Sequence, residues 1–249
     1  MSVVITGASS GIGEACAWEF AKAGRGLILM ARRREKLQLL AKSISEKYRV
    51  TVTPVVLDVR DKTGVARWVD EEAALAKSVE VLVNNAGLAR GFEPLAAGNP
   101  DDWDEMIDTN IKGLLYMTRA FLPGLIEKKG HIVNMGSIAG AWTYPNGNVY
   151  CATKYAVRAL TESLRLDVHG TGVRVTEISP GMVETDFSDV RFKGDKDRAK
   201  KVYAGTRPLM PVDIAEAVVW SVLRPKHVNI QELVIFPTDQ ASVTMVKRE

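Results

Sequence analysis

The chain has 249 residues, 46% hydrophobic and 25% charged, with a net charge of +3. This is the composition of an ordinary soluble globular protein. The small charge gives no ground for nucleic-acid binding, and no apolar stretch reaches the 18 residues that would suggest a membrane span. Length alone leaves open one large domain or two small ones.

The two cysteines, Cys16 and Cys151, form no CxxC and are expected as reduced thiols in a cytoplasmic setting. His131, His169 and His227 are scattered without ligand spacing, so no metal site is expected. A strand-like run beginning at Ser2 leaves no room for a signal peptide.

In chain order, short apolar runs alternate with longer amphipathic ones. "SVVIT" (2–6) is followed by a helix-period segment with Ile12, Ala15, Cys16, Phe20 and Ala23 on one face, ending at Gly24. Further strand-like runs are "GLILM" (26–30), "TVTPVVLDV" (51–59), "VEVLVN" (79–84), "HIVNM" (131–135), "VRVTEI" (173–178) and "ELVIF" (232–236). Pro54 should confine pairing in the third strand. Helices are expected near 33–47, 61–77, 101–128, 149–169 and 211–223. Seven buried strands separated by helices, with no linker, predict an α/β fold: a single-domain, Rossmann-type, doubly wound seven-stranded parallel sheet with helices on both faces.

Two segments do not fit a plain helix–strand alternation. The stretch 111–126 is apolar around too much of its circumference for a surface helix, so it predicts burial within the chain or contact with a second subunit. "RFKGDKDRAKK" (191–201) is mixed in sign and reads as a solvated, mobile segment.

"TGASSGIGEA" places Gly7, Gly11 and Gly13 between the first strand and the first helix. Glycines let backbone N–H groups approach an anion closely, and the helix N-terminus adds its dipole, which suits a dinucleotide pyrophosphate. There is no GxxxxGK, so this is not a P-loop. The second strand ends in "MARRREK". Where an NAD site would offer an acid to the ribose hydroxyls, Arg32, Arg33 and Arg34 offer guanidinium groups to a 2′-phosphate. The expected cofactor is therefore NADP.

Tyr150 and Lys154 are four residues apart, on one helix face, whereas Tyr155 lies on another. A phenol of ordinary pKa near 10 is a poor proton-transfer group at neutral pH, and a nearby ammonium would bring it down. Such a pair suits hydride transfer, in which a carbonyl oxygen gains a proton as its carbon gains hydride. Ser137, at the carboxyl end of the fifth strand, would point into the ligand crevice and hydrogen-bond the substrate oxygen. Cys151, beside Tyr150, is expected as a small buried hydrophobe pointing away from the pair.

With these residues in view, the chain resembles the short-chain dehydrogenase/reductase family along essentially its whole length. The matching pieces are "TGASSGIG" (6–13), "DV" (58–59), "NNAG" (84–87), "DTNIKG" (108–113), "GSIAG" (136–140), "YCATK" (150–154) and "PGMVET" (180–185). The resemblance implies a catalytic tetrad of Asn110, Ser137, Tyr150 and Lys154. In it Tyr150 is the proton donor or acceptor, Lys154 also bonds the nicotinamide ribose, and Asn110 helps hold a water in a proton relay.

It also implies cofactor contacts at Gly7, Ser9, Ser10, Gly11, Ile12, Gly13, Arg32 and Arg33, and at Asp58 and Val59 by the adenine. Asn84, Ala86 and Gly87 would lie beside the ribose, and Pro180, Gly181, Val183 and Thr185 around the carboxamide. "GLARGFEP", the stretch from "HGTGVRVTEI" to "RFKGD" and "HVNIQELVIFPTDQ" are similar to the NADP-dependent 3-hydroxy acid dehydrogenases. Members of that group act on serine, allo-threonine or malonic semialdehyde and are typically homotetramers.

A 3-hydroxy acid carries a carboxylate, so a cation is expected in its pocket. Arg191 is the first candidate and Arg90 the second, each with a solvated surface arginine as the plain alternative. Phe187 and Phe192 are candidates to close over the substrate, and Trp142 and Tyr144 to line its wall. Gly194 and Gly205 bracket a hinged substrate loop or lid around 186–208. Other small aldehydes, sulfonated aldehydes or ketones are the alternative substrates. A nucleotide sensor without turnover is disfavoured by the intact Ser137, Tyr150 and Lys154.

Overall fold

Continuous apolar strands cannot leave a face in water, and here neither face is left bare. The computed structural model describes residues 2–249 and joins seven strands in the order β3-β2-β1-β4-β5-β6-β7, with every pairing parallel. They are β1 (Ser2–Thr6), β2 (Gly26–Ala31), β3 (Val52–Val56), β4 (Val79–Asn84), β5 (His131–Met135), β6 (Arg174–Pro180) and β7 (Glu232–Ile235). Pro54 lies in β3, an edge strand that pairs only with β2.

Side chains alternate across each strand. Val3, Ile5, Leu27, Leu29, Val81 and Val83 form one core with Phe20, Leu37 and Val218. Val4, Ile28, Met30, Leu82 and Ile132 form the other with Met117, Phe121 and Leu125. The first core is closed by α1 (Gly11–Lys22), α2 (Arg34–Tyr48) and α10 (Pro211–Val222). The second lies under α3 (Lys62–Glu71), α4 (Ala73–Lys77) and the long helix that follows β4. The result is the single Rossmann-type domain expected. The strand order reverses between β1 and β4, which opens a crevice at their carboxyl ends.

Two regions differ from the sequence reading. The expected helix over 101–128 is three pieces: α5 (Pro100–Ile107), a π-helical turn over Asp108–Gly113, and α6 (Leu114–Lys128). Apolar spacing cannot register the one extra residue per turn that widens such a segment. The stretch 191–201, read as a solvated, mobile segment, is mostly exposed but not irregular: it runs from the last residue of α8 (Phe187–Arg191) into α9 (Lys196–Tyr203). Asp195 caps α9 by accepting from the Arg198 N–H at 3.0 Å, and Ala199 is buried. Gly194 and Gly205, on either side of α9, both take positive φ.

Candidate active site

The glycine turn is built for close backbone approach. Gly7 has φ +64, and a Cβ there would lie 2.9 Å from Ala86 Cα. A Cβ on Gly13 would fall 2.5 Å from both Gly7 O and Asn85 Nδ2. Thr6 fastens this turn to the end of β4, its hydroxyl accepting from the Asn85 and Ala86 N–H groups at 3.0 and 2.9 Å. We expect Gly13→Ala to cost about 1–3 kcal/mol through overpacking against backbone. Thermal unfolding should show a drop of several degrees, and fluorescence titration a loss of NADPH affinity.

Arg33 lies along the turn. Its Nε donates to Ser9 Oγ at 3.1 Å and its Nη2 to Ser10 Oγ at 2.5 Å. Arg32 is exposed, with Nη1 3.9 Å from Asp58 Oδ2. Asp58 is gripped by Arg60, whose Nε and Nη2 reach its carboxylate at 3.0 and 2.7 Å. Burial alone would raise the Asp58 pKa, but the hydrogen bonds and charge of Arg60 hold it below the ordinary value. Val59 is buried beneath the π-helical turn, where a Cβ on Gly113 would meet its methyl at 2.7 Å.

Asn84 turns its amide inward, donating to Thr118 Oγ1 at 3.0 Å and Asn134 Oδ1 at 2.9 Å. Any contact it makes at a ribose is therefore through its backbone. Gly87 leaves a gap beside two tetrad members: a Cβ there would lie 3.3 Å from Asn110 Oδ1 and 3.7 Å from Lys154 Nζ. Pro180 closes β6, and the Gly181 N–H donates to Ile235 O at 2.7 Å. Val183 O accepts from the Tyr203 hydroxyl at 2.9 Å. Thr185 approaches the glycine turn, its methyl 3.3 Å from where a Gly11 Cβ would stand. Ile12 packs at the edge of the first core.

The four tetrad candidates come together at the carboxyl ends of β4 and β5. Tyr150 and Lys154 sit on α7 (Asn148–Asp167), with Lys154 Nζ 6.0 Å from the Tyr150 ring centroid. Ser137 follows β5 and is hydrogen-bonded to the Tyr150 phenol. Asn110, carried by the π-helical turn, donates to Leu88 O at 2.9 Å and Thr153 Oγ1 at 3.0 Å, and accepts from the Leu88 N–H at 2.9 Å. Both amide hydrogens are thus engaged, and the amide oxygen accepts one hydrogen bond. Tyr155 faces elsewhere, donating to Ala141 O at 2.6 Å. Cys151 is buried, and burial raises its thiol pKa.

The ionisation of the pair is not as the sequence implied. Burial pushes the Tyr150 pKa up, with Tyr144 adding to it, and the Ser137 hydrogen bond and the Arg191 charge only partly oppose this. Burial also brings Lys154 down to about 8, against the charge of Glu177. The ammonium donates at 2.8 Å to Met135 O rather than to the phenol. Desolvation outweighs a like-sized charge effect in so dry a site.

The segment after β6 covers this centre. Phe187 meets the Tyr150 ring edge-on, centroids 5.5 Å apart. Arg191 reaches over the rings of Phe92, Tyr144 and Tyr150 at 4.8, 5.6 and 5.7 Å. Its Nε donates to Gly91 O at 3.0 Å and its Nη1 to Tyr144 Oη at 3.1 Å. Arg90, the second candidate, is neutralised by Glu105 at 2.6 Å and donates to Val190 O at 2.7 Å, so it ties the segment down instead. Phe192 packs edge-on against Phe92 at 6.4 Å. Trp142 is 48% exposed beside Phe236, away from this cluster.

An open cleft of about 560 Å³ runs from Arg33 to Arg90, Asp186, Val190 and Lys193. Phe92 and Thr153 were not singled out in the sequence. Only tertiary packing brings Phe92 onto Tyr144, with rings 6.3 Å apart and stacked. Among the described residues no group of His, Cys, Asp and Glu could hold a metal, and no helix is long and apolar enough to cross a membrane.

The family model for short chain dehydrogenases matches residues 1–196. The chain belongs to the short-chain dehydrogenase family. This short-chain dehydrogenase is 48% identical over 243 residues to the NADP-dependent 3-hydroxy acid dehydrogenase of Salmonella typhi, covering 97% of this chain and 96% of the relative. It is also 48% identical over 241 residues to sulfoacetaldehyde reductase 2 of Chromohalobacter salexigens, covering 96% and 95%. The closed form of a serine dehydrogenase complexed with NADP+ superposes with a TM-score of 0.92 at 46% identity, with both chains covered in full. As a short-chain dehydrogenase the protein is an oxidoreductase.

Proposed function

We propose that this protein is an NADP(H)-dependent dehydrogenase that acts on short 3-hydroxy acids, of the serine, allo-threonine or 3-hydroxypropionate kind, and on the matching semialdehydes. The observation that carries the substrate class is Arg191. Its guanidinium is fixed by Tyr144 and Gly91 beside the Tyr150 ring, and its Nη2 has no hydrogen-bond partner among the described residues. A cation so held suits a carboxylate a few ångströms from the reacting carbon.

The cofactor fits the residues present. The glycine turn of Gly7, Ser9, Ser10, Gly11, Ile12 and Gly13 packs so closely on the end of β4 that a Cβ at Gly7 or Gly13 would strike Ala86, Asn85 or the turn itself, which keeps its backbone N–H groups at the crevice for a pyrophosphate. Arg33, aligned by two serine hydroxyls, and Arg32 supply the cations for a 2′-phosphate. Asp58, Val59, Ala86, Gly87, Pro180, Gly181, Val183 and Thr185 would line the rest. Bound NADP(H) would supply hydride exchange with the substrate carbon and, when oxidised, a positive charge.

The chain's own residues would do the remaining work. Ser137 holds the substrate oxygen; in reduction the Tyr150 hydroxyl gives that oxygen its proton, and in oxidation the Tyr150 phenolate takes it. Lys154 orients the cofactor ribose and contributes its charge. Asn110 helps hold a water in the proton relay. Residues 186–208 act as the lid, with Phe187 excluding water over Tyr150.

A spectrophotometric panel with both nicotinamides tests this reading. Turnover of the hydroxy acids with NADP+ is the expected result, and silence towards all of them defeats it. Arg191→Ala should raise KM for carboxylate substrates about 10- to 100-fold, the worth of one charge-assisted hydrogen bond, with little change for neutral aldehydes. An equal effect on both classes removes Arg191 from substrate recognition. The sulfoacetaldehyde reductase likeness favours a sulfonate as the second reading, since the same guanidinium would accept it. Sulfoacetaldehyde therefore belongs in the panel.

We further infer a homotetramer working in the cytoplasm. Leu115 and Ile126 on α6 remain 40% and 39% exposed, which supports a helix face meeting another subunit, and both cysteines are free.

A further inference from the structure

A carboxylate in the middle of the sheet has no part in the reaction just described. Every residue of β6 is buried, and Glu177, at its centre, is 3% exposed. A charge so placed is costly unless something compensates it. Its partners across the sheet are Asn134 on β5 and Glu232 on β7, so two carboxylates stand side by side on the face covered by α7. The Ser179 hydroxyl bridges them, 2.9 Å from Glu177 Oε1 and 3.3 Å from Glu232 Oε1.

The compensating cations come from successive turns of α7. Arg158 Nη2 lies 3.6 Å from Glu232 Oε2, and Lys154 is one turn earlier. Glu162 and Arg165, farther along α7, line the small cleft beside the two glutamates. Arg174 and His131, with Thr176 between them, face the other side of the sheet.

The Glu177 side chain is directed towards the active site by a glycine. A Cβ on Gly136 would collide with Glu177 Oε1 and lie 2.8 Å from its Cγ and Cδ. The carboxylate therefore rests over Gly136, next in sequence to Met135, whose carbonyl holds the Lys154 ammonium. Every residue from Met135 to Ser137 thus touches either the tetrad or this glutamate.

Resting on the reading of Lys154 given under Proposed function, we propose that Glu177 is a positioning residue: its carboxylate, shared with Ser179 and Glu232 and seated over Gly136, one residue past the Met135 carbonyl that orients the ammonium, keeps Lys154 charged at the end of β5. The electrostatics agree in both directions. Glu177 is the charge that opposes the effect of burial on Lys154. Burial raises the pKa of Glu177 itself, Glu232 adds to the rise, and Lys154 and Arg158 oppose it.

The test reads the lysine directly. In apo protein carrying ¹³Cε-lysine, with Lys154→Met assigning the resonance, Lys154 should titrate near 8. Glu177→Gln should lower that midpoint by about one pH unit, and Glu177→Asp should restore part of it. The alkaline limb of reductase activity should move the same way, with kcat down about fivefold at the midpoint of the wild-type limb. An unchanged lysine titration in Glu177→Gln overturns the proposal.

If Glu177→Gln does not fold, Glu177→Asp carries the test alone. The shorter side chain draws the carboxylate back from α7, so Lys154 should titrate lower than in the wild type, and an unchanged or higher midpoint overturns the proposal. Because the NMR arm reads Lys154 whatever the enzyme turns over, its failure is distinct from failure of the substrate assignment, which the activity panel reads.

Discussion

Tyr150→Phe is expected to reduce turnover by about three orders of magnitude, the middle of the range for a lost general acid or base, while NADPH still binds. The ring contacts with Phe187 and Lys154 use no hydroxyl, so the fold of the cleft should survive. Stopped-flow single turnovers and a fluorescence titration separate the two effects, and near-normal turnover in the variant would refute the role given to this phenol. The pH dependence follows from the same burial. Reduction needs a protonated phenol, which the raised Tyr150 pKa secures at neutral pH. It also needs the Lys154 ammonium, which is lost as pH rises through about 8. Reductase activity should therefore be flat below that point and fall above it.

Arg33→Ala is expected to weaken NADPH binding about 100-fold, the worth of one or two hydrogen bonds to a charged group, and to leave NADH almost untouched. Arg33 is the arginine of "ARRR" that the glycine turn itself orients, through Ser9 and Ser10. Its neighbour Asp186, 3.9 Å away and largely exposed, forms a solvent-screened pair that contributes little. Affinities of the two nicotinamides, measured side by side at fixed salt, give the ratio. If it does not change, the 2′-phosphate is read by Arg32 or by some other group.

The sheet was legible because a strand buried on both faces has few ways to be written. "VVIT", "LILM" and "VLVN" are apolar without alternation, and Gly7 and Asn84 end the first and the last of them at the crevice. Tyr150, Lys154 and Ser137 were legible for a similar reason, since one helix turn and one strand end fix where they point. What the residues could not disclose is what other segments do to them. Lys154 looked like an acidifying charge, but its surroundings are dry and its nearest acceptor is the carbonyl of Met135.

Arg191 and Arg90 were both candidates from sequence, and only the fold separates their roles, by bringing Gly91 and Tyr144 to one and Glu105 to the other. The polar "KGDKDRAKK" reads as solvent-facing because its own sequence holds only one buried anchor, Ala199. The rest of its support comes from Tyr203 reaching Ser188 and Val183, and from Arg248 donating to Val202 and Ala204.

The widened turn at 108–113 has a geometric consequence for the rest of the helix that contains it. An ordinary helix locks the direction of every side chain to that of its neighbours by a fixed rotation. The surplus residue resets that phase, so Asn110 can point at Leu88 and Thr153 while Met117, Phe121 and Leu125 still meet the sheet. The two ends of this rod therefore answer to separate constraints: one can be tuned for chemistry without turning the other out of the core.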